Sequence, residues 1–271
     1  MGTGAAEADA DRGCADAENP AAGSQAMFKK EWLRFTDIRP ATINVAILCD
    51  PASSRKKGSD QTAMLVVAID AQRNRYLLDG YHHKMGLAER WLRLKTLRTK
   101  WMRQPGVQVV KVGYERYGMR DSIEYFEERM QIEGEYFEIV ELAWPKEGPG
   151  SKYDRIQRLE PDFRNGRIYL IGDFTWIDED TGKVIDQETA NQRRVRETGE
   201  DFRIVKPVIA IDEERKPYRL NKGLIDEYLV YPFSHHDDML DCLSRIYDID
   251  LVPPMIVDQT LLEPPVFSDG I

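Results

Sequence analysis

Residues 234–244, SHHDDMLDCLS, put two histidines and three aspartates at the head of an apolar run that reads as a helix. Aspartate and serine at a helix start satisfy free N–H groups and suit the positive end of the helix dipole. The same carboxylates would also make one wall of a metal site. Whether further carboxylates reach the same place separates the two readings. Asp50 closes the apolar run INVAILCD, 43–50, and Glu115 closes VQVVKVGYE, 107–115. If these runs are parallel neighbours joined by a right-handed crossover, both carboxylates lie at one sheet edge. That edge, outside the carboxyl ends of the strands, is where open α/β sheets bind ligands. In the last helix Leu240, Leu243 and Tyr247 follow i, i+3, i+7 spacing and mark its buried face. Asp237 and Asp241 then lie on the flank and Asp238 further round; the count favours Asp237, and a small rotation favours Asp238.

Carboxylates that converge without a counter-charge repel, and their pKa values rise. Divalent cations relieve the repulsion, and oxygen-only ligands suit the hard ions Mg2+ and Mn2+. Two such ions, roughly 3.5–4 Å apart, activate a water and stabilise the leaving oxygen of a phosphodiester. This chemistry needs no covalent intermediate and no Ser or Cys nucleophile. Taken singly, each residue has a plainer role: Asp50 before Pro51 starts a turn, Glu115 is a surface charge, and the aspartates of HHDDMLD are caps. Jointly, convergence favours the metal site. Asp60, in KGSDQTA, either supports that site from the neighbouring strand or caps a turn. Adjacent His235 and His236 point in different directions on a helix, so one is expected to pack and the other to be exposed.

The elements that must position these residues follow from periodicity. Apolar runs at 43–50, 62–70, 75–82 and 107–115 read as strands, with AQRN turning the second into the third. Residues 86–103, with Leu87, Trp91, Leu94 and Leu97 on one side, read as a helix, as do 118–134, 152–165 and about 236–249; 135–143 reads as a strand. Residues 167–187 read as strands closing on a DTGK hairpin turn, and 187–225 resist assignment. Three meandering strands followed by helix, strand, helix, strand give an α/β domain with a sheet part antiparallel and part parallel.

The 271 residues, 42% hydrophobic and 31% charged, suit one large domain with loose ends. Residues 1–26, rich in Ala, Gly and acid, read as disordered, 27–250 as the domain, and 251–271 as an extended Pro-rich tail. Cys14, Cys49 and Cys242 are scattered and carry no CxxC pair, which argues against a disulfide framework or a zinc site and fits a reducing compartment. There is no apolar run of about 18 residues and no basic-then-apolar leader, so a soluble intracellular protein is expected. A net charge of −9 weighs against general nucleic-acid stickiness, without excluding a carboxylate-centred enzyme that acts on DNA. Basic residues crowd 84–103, and Arg193, Arg194 and Arg196 form a second cluster; a solvated helix face is the favoured reading of the first.

LCDPASSRKKGSDQTAMLVVAID, VGYERYGMRDSIEYF, KYDRIQRLEPDFRNGRIYL and YPFSHHDDMLDCLSRIYD, in that order, resemble the nuclease domain of the large terminase subunit of tailed bacteriophages over roughly residues 28–250. The resemblance implies an RNase H-like α/β fold: a central mixed sheet of five or more strands flanked by helices, with an added β-hairpin. It implies a two-metal-ion endonuclease that cuts concatemeric double-stranded DNA during genome packaging, with two Mg2+ or Mn2+ ions per site. The family's catalytic, metal-binding acids fall on Asp50, Glu115 and Asp237 or Asp238, with Asp60 in support and Asp241 as a further candidate. Lys152, Arg155 and Arg158, after the loop KEGPGSK, fall near the site in the family pattern and are the candidate DNA contacts. Implied partners are a terminase ATPase motor, a small terminase subunit and a portal, in the cytoplasm of an infected or lysogenic bacterial host. One departure stands out: this chain has no GxxxxGK[ST] loop to cradle a triphosphate. It is therefore expected to be an excised domain, a split-gene product or a prophage remnant that does not itself translocate DNA. The alternatives are another RNase H-like nuclease, such as a junction resolvase or a hybrid nuclease, and a decayed packaging interaction module.

Overall fold

A computed structural model describes residues 5–7, 26–51, 61–115, 119–142, 151–178, 181–234 and 236–256. In chain order the elements are β1 (Ala5–Glu7), β2 (Arg34–Thr36), β3 (Ile38–Pro40), β4 (Ile43–Asp50), β5 (Thr62–Ile69), β6 (Arg75–His83), α1 (Leu87–Met102), β7 (Val107–Glu115), α2 (Met119–Glu133) and β8 (Val140–Leu142). There follow α3 (Ser151–Gln157), α4 (Glu160–Arg164), β9 (Ile168–Ile171), β10 (Phe174–Ile177), β11 (Val184–Ile185), α5 (Gln187–Thr198), β12 (Phe202–Ile204), β13 (Ile209–Ile211), β14 (Pro217–Arg219), α6 (Leu220–Val230) and α7 (Asp238–Ser244). A 3-10 turn, Arg245–Tyr247, continues α7.

Every residue of β5, and every residue of β4 before Asp50, is buried. Such unbroken apolar runs belong to strands covered on both faces, and these two lie inside a seven-stranded sheet of order β2-β9-β6-β5-β4-β7-β8. The meander β4-β5-β6 is antiparallel, whereas β7 on β4, β8 on β7, and β9 on β6 are parallel. This is the mixed α/β arrangement expected from the element order. Gly106 makes the turn into β7: its φ is +80°, and an added Cβ would stand 1.8 Å from the Ala41 carbonyl oxygen, so only glycine suits the position.

Strand parity divides the core. Val45, Ile47 and Cys49 face α1 and α2, packing with Trp91, Leu94, Leu97, Trp101 and Phe126. Ala46 and Leu48 face the other way, onto Leu224 and Tyr228 of α6, Leu240 and Leu243 of α7, and Ile156 of α3. Each fully buried Leu or Ile is worth roughly 1.5–3 kcal/mol in transfer free energy. Side chains alternate along a strand, so Asp50 follows Leu48 to the α7 side. In β7, Val112 and Tyr114 belong to the α1 side, which sends Glu115 to the α7 side as well.

Several elements differ from the sequence reading. The strand expected over 135–143 is regular only at Val140–Leu142. The preceding residues turn to α1 instead, with Phe137 stacked on Trp91 at 5.6 Å and under the Arg98 guanidinium at 4.4 Å. The helix expected over 152–165 is two helices, because Pro161 lacks the N–H to continue the first and favours the opening turn of the second. The hairpin expected within 167–187 is present as β10–β11, and the unassigned stretch adds another, β13–β14. Within 1–26, β1 pairs antiparallel with the edge of β10; residues 1–4 and 8–25 lie outside the described residues. In the tail, 251–256 form no regular element; Asn44 donates to the Val252 carbonyl, and Gln108 brackets the Met255 backbone at 2.6 and 2.9 Å. No helix among the described residues is long and apolar enough to cross a membrane.

Candidate functional site

β4 and β7 run parallel in register, Leu48 opposite Gly113 and Cys49 opposite Tyr114. The next residue on each strand is Asp50 or Glu115, so the two residues end neighbouring strands at the carboxyl edge of the sheet. The structure thus brings together the pair that element order alone had put at one edge.

α7 is fixed against that edge by three kinds of contact. Leu240 and Leu243 are buried in the core. The Cys242 thiol reaches the Leu48 carbonyl at 3.5 Å and the Ala63 carbonyl at 3.4 Å. Burial pushes that thiol's pKa well up, which keeps it a neutral donor. The helix start is capped from outside: the Glu227 carboxylate on α6 accepts the N–H groups of Met239 at 3.2 Å and Leu240 at 2.9 Å. Asp237, at the N-cap position, makes no side-chain cap bond. The plain reading of HHDDMLD as capping aspartates therefore fails at Asp237, and that carboxylate is left to other partners.

Those partners are cations from α3. Lys152 Nζ lies 2.5 Å from Asp237, 3.5 Å from Asp241 and 3.9 Å from Asp238. Arg155 grips Asp241 with Nε and Nη2, both at 2.5 Å, and both side chains are buried. Arg158 donates to Asp248 at 2.8 Å and to the Ser244 carbonyl at 3.2 Å. One face of α3 and the turn that follows it, at spacing i, i+3, i+6, meets one face of α7 and its continuation. Arg245, only 2% exposed, pairs with Glu115 and sits 3.3 Å from Asp248.

Among the described residues, Asp50 has no such counter-ion of its own. Burial pushes its pKa up to about 8, and Asp241 and Asp238 add to the rise against the opposing pull of Lys152 and Arg245. Asp238 goes the other way: burial would raise it, but His82, whose Nε2 is 3.9 Å away, and Lys152 hold it below the ordinary carboxylate range. Lys152 is raised, because Asp241, Asp237 and Asp50 together outweigh its burial.

Asp60 and His235, both considered from the sequence, lie outside the described residues, and His236 is exposed. Among the described residues, no three His, Cys, Asp or Glu side chains stand together in a geometry that could hold a metal ion. Of the expected DNA contacts, Arg155 faces inward, Arg158 is directed at Asp248, and the Lys152 side chain is 41% exposed. Cations of the basic cluster on α1, read from the sequence as a solvated helix face, form ion pairs: Arg93 with Glu89, Lys95 with Glu133, Arg98 with Glu135 and Lys100 with Asp79. Arg193 and Arg194 likewise meet Asp178 and Asp37.

Sequence reasoning missed Arg245 and Glu227. Both carried a legible signal: Leu220, Leu224 and Glu227 follow i, i+4, i+7, and Arg245 continues a helix that is buried from Met239 to Ser244, so each is a charge on an apolar face. Replacing Glu227 by Ala leaves two buried N–H groups without acceptors, each costing roughly 1–3 kcal/mol. Glu227→Ala should therefore lower unfolding free energy in urea by about 2–4 kcal/mol. A loss under about 0.5 kcal/mol would mean that water caps the helix equally well.

No protein-family model matches the chain, and no curated protein does. Among solved structures the fold is similar to the large terminase nuclease from thermophilic phage G20c with bound magnesium, at 13% identity and a TM-score of 0.42, covering 82% of this chain and 96% of that one. It is similar to the human cytomegalovirus terminase nuclease domain, at 11% identity and a TM-score of 0.42, covering 81% and 94% of the two chains. The yeast mitochondrial Holliday junction resolvase aligns at 12% identity and a TM-score of 0.29, covering 77% and 83%.

Proposed function

We propose that this chain is a metal-dependent, RNase H-like endonuclease that cuts concatemeric double-stranded DNA during phage genome packaging. The observation that carries the reading is the meeting of Asp50 and Glu115 at the ends of parallel β4 and β7, with Asp238 and Asp241 pressing on Asp50. An acid whose pKa is driven up by burial first, and by neighbouring carboxylates in addition, marks a place short of positive charge. The donors are all carboxylate oxygens, which fits Mg2+ or Mn2+ and not a thiophilic ion.

Asp50 and Asp238, with Asp237, Asp241 and Glu115 around them, are the residues that would hold the metal. A bound divalent ion would supply Lewis-acid polarisation of the phosphodiester and a more acidic water. The chain's own contribution is positional. The Glu227 cap and the Cys242 contacts hold α7 at the sheet edge, so the acids are set before substrate arrives. Lys152, part exposed beside Asp237, is the cation best able to reach a backbone phosphate. The terminase motor, small subunit and portal, and a bacterial host's cytoplasm, belong to the same proposal.

The test is incubation of the purified chain with supercoiled plasmid in Mg2+, Mn2+ or EDTA. Nicking and linearisation that need the metal are expected. A folded protein that cuts in no metal, and whose melting temperature ignores Mn2+, would end the nuclease reading.

A further inference from the structure

We infer that Arg90 forms an anion site at the carboxyl edge of the sheet, on the face opposite the acids, and that its ligand is a phosphate group of bound DNA. The choice of ligand rests on the nuclease reading; the site itself rests on the geometry of α1 and β7.

Among the described residues, four arginines carry a buried side-chain nitrogen with no hydrogen-bond partner: Arg75, Arg90, Arg194 and Arg245. Three of them still meet a carboxylate: Arg75 meets Asp162, Arg194 meets Asp37 and Arg245 meets Glu115. Arg90 meets none among the described residues. Its one side-chain bond runs from Nη1 to the Tyr114 phenol oxygen at 2.7 Å. Glu89, the acid beside it in sequence, is turned to Arg93 and His83, at 3.2 Å from each. Arg90 Nε is buried without an acceptor, and Nη2 makes no bond to a described residue. A guanidinium keeps its proton at any ordinary pH, so it does not shed its charge as a buried lysine does. A part-buried charge without a counter-ion is costly, and an anion brought from outside removes that cost.

The position of Arg90 says which anion. Its anchor, Tyr114, is fully buried, and the Tyr114 hydroxyl donates in turn to Ser122 Oγ at 3.3 Å, so the guanidinium is held at a fixed point. Tyr114 immediately precedes Glu115 and stands opposite Cys49, which precedes Asp50. The Tyr114 ring belongs to the α1-side core, whereas alternation sends Asp50 and Glu115 to the α7 side. Arg90 and the acids therefore flank one edge from its two faces. Arg90 also lies near the start of α1, where Gly86 provides no side-chain cap, and the positive end of the helix dipole adds to the attraction for an anion. A DNA strand crossing the edge would meet the acids on one side and Arg90 on the other. Guanidinium suits phosphate, and a contact of this kind fixes position without reading sequence.

Anisotropy of a labelled DNA duplex with the whole chain in EDTA, over a range of salt concentrations, tests this for the wild type, Arg90→Met and Arg90→Lys. Losing one phosphate contact reduces the slope of log K against log salt by about 0.9. Arg90→Met should show that reduction, with roughly tenfold weaker binding at low salt, and Arg90→Lys should keep most of the slope. Arg90→Met should also melt no lower than the wild type, because it deletes an unpaired charge and breaks no ion pair. Arg90→Gln replaces it should circular dichroism show that Arg90→Met does not fold. An unchanged slope in the folded neutral variant, or an equal loss in Arg90→Lys, would overturn the inference and leave the nuclease reading standing. Inorganic phosphate that raises the melting temperature of the wild type and not of the neutral variant, with the DNA slope unchanged, would make the ligand a free phosphate and overturn the assignment to DNA. A wild type that binds no duplex at any salt would overturn the nuclease reading and this inference together.

Discussion

Asp50→Asn should abolish metal-dependent cutting, by at least ~10³-fold, or roughly 4 kcal/mol of barrier, while leaving a folded protein. The substitution is nearly isosteric and removes the charge at an acid that, among the described residues, has no counter-ion of its own. Its effect on stability should have the opposite sign to its effect on activity. The folded-state pKa of Asp50 is about 8, above its ordinary 3.8. Such a group adds stability that is fully present below the unfolded value and is lost as pH rises through the folded one. Without metal, the wild-type protein should therefore weaken progressively between about pH 4 and pH 8, whereas Asp50→Asn, which has no charge to bury, should lose less. At pH 9 in EDTA the variant should melt above the wild type. Adding Mn2+ should raise the wild-type melting temperature and leave the variant's nearly unchanged. A variant that cuts as well as the wild type would remove Asp50 from the site; one that fails to fold would make Asp50 a structural acid instead.

The frame that sets up this prediction could be read from the sequence because it depends on order and alternation. INVAILCD and VQVVKVGYE each carry an uninterrupted apolar signal and end on an acid, and the helix of residues 87–102 between them forces the crossover that makes them parallel. Parity then fixes the side chains. The irregular elements were less legible. The stretch Gln187–Thr198 is a helix with few apolar residues, and its clearest signals are at its ends: Asp186 accepts the Thr189 N–H, and Gly199 closes it in the left-handed conformation. Caps were the cue there, and hydrophobic periodicity the wrong one. The site was half legible for a related reason. Sequence spacing places acids on a helix but does not reveal which cations will face them, since Lys152, Arg155 and Arg158 come from a helix and the turn after it, about 85–90 residues away in the chain. Read alone, those cations look like a surface for phosphates; packed against the last helix, they hold the acids of the cluster.

The Arg155–Asp241 pair is where that packing should matter most for stability. Arg155→Met should lower the unfolding free energy by roughly 3–5 kcal/mol, a large share of the 5–15 kcal/mol typical of a folded domain. The reason is asymmetric. Both side chains are under a tenth exposed and meet through two parallel hydrogen bonds of 2.5 Å. Removing the guanidinium deletes those bonds and also leaves the Asp241 carboxylate buried, where its charge adds to that of Asp50. Lys152, at 3.5 Å, is too distant and too exposed to replace both bonds. Deleting the charge on both sides avoids this penalty. The double substitution Arg155→Met with Asp241→Leu should recover most of the loss, because a buried ion pair often contributes little over an apolar pair of similar volume. Urea unfolding of the wild type, both single variants and the double measures the coupling directly. Near-additive losses would mean that the two groups do not interact as a unit, and the α3–α7 contact would then rest on apolar packing alone. Strong coupling would fix the order of dependence: Arg155 compensates Asp241, and only a compensated Asp241 can lie buried beside Asp50, where a divalent cation would bind.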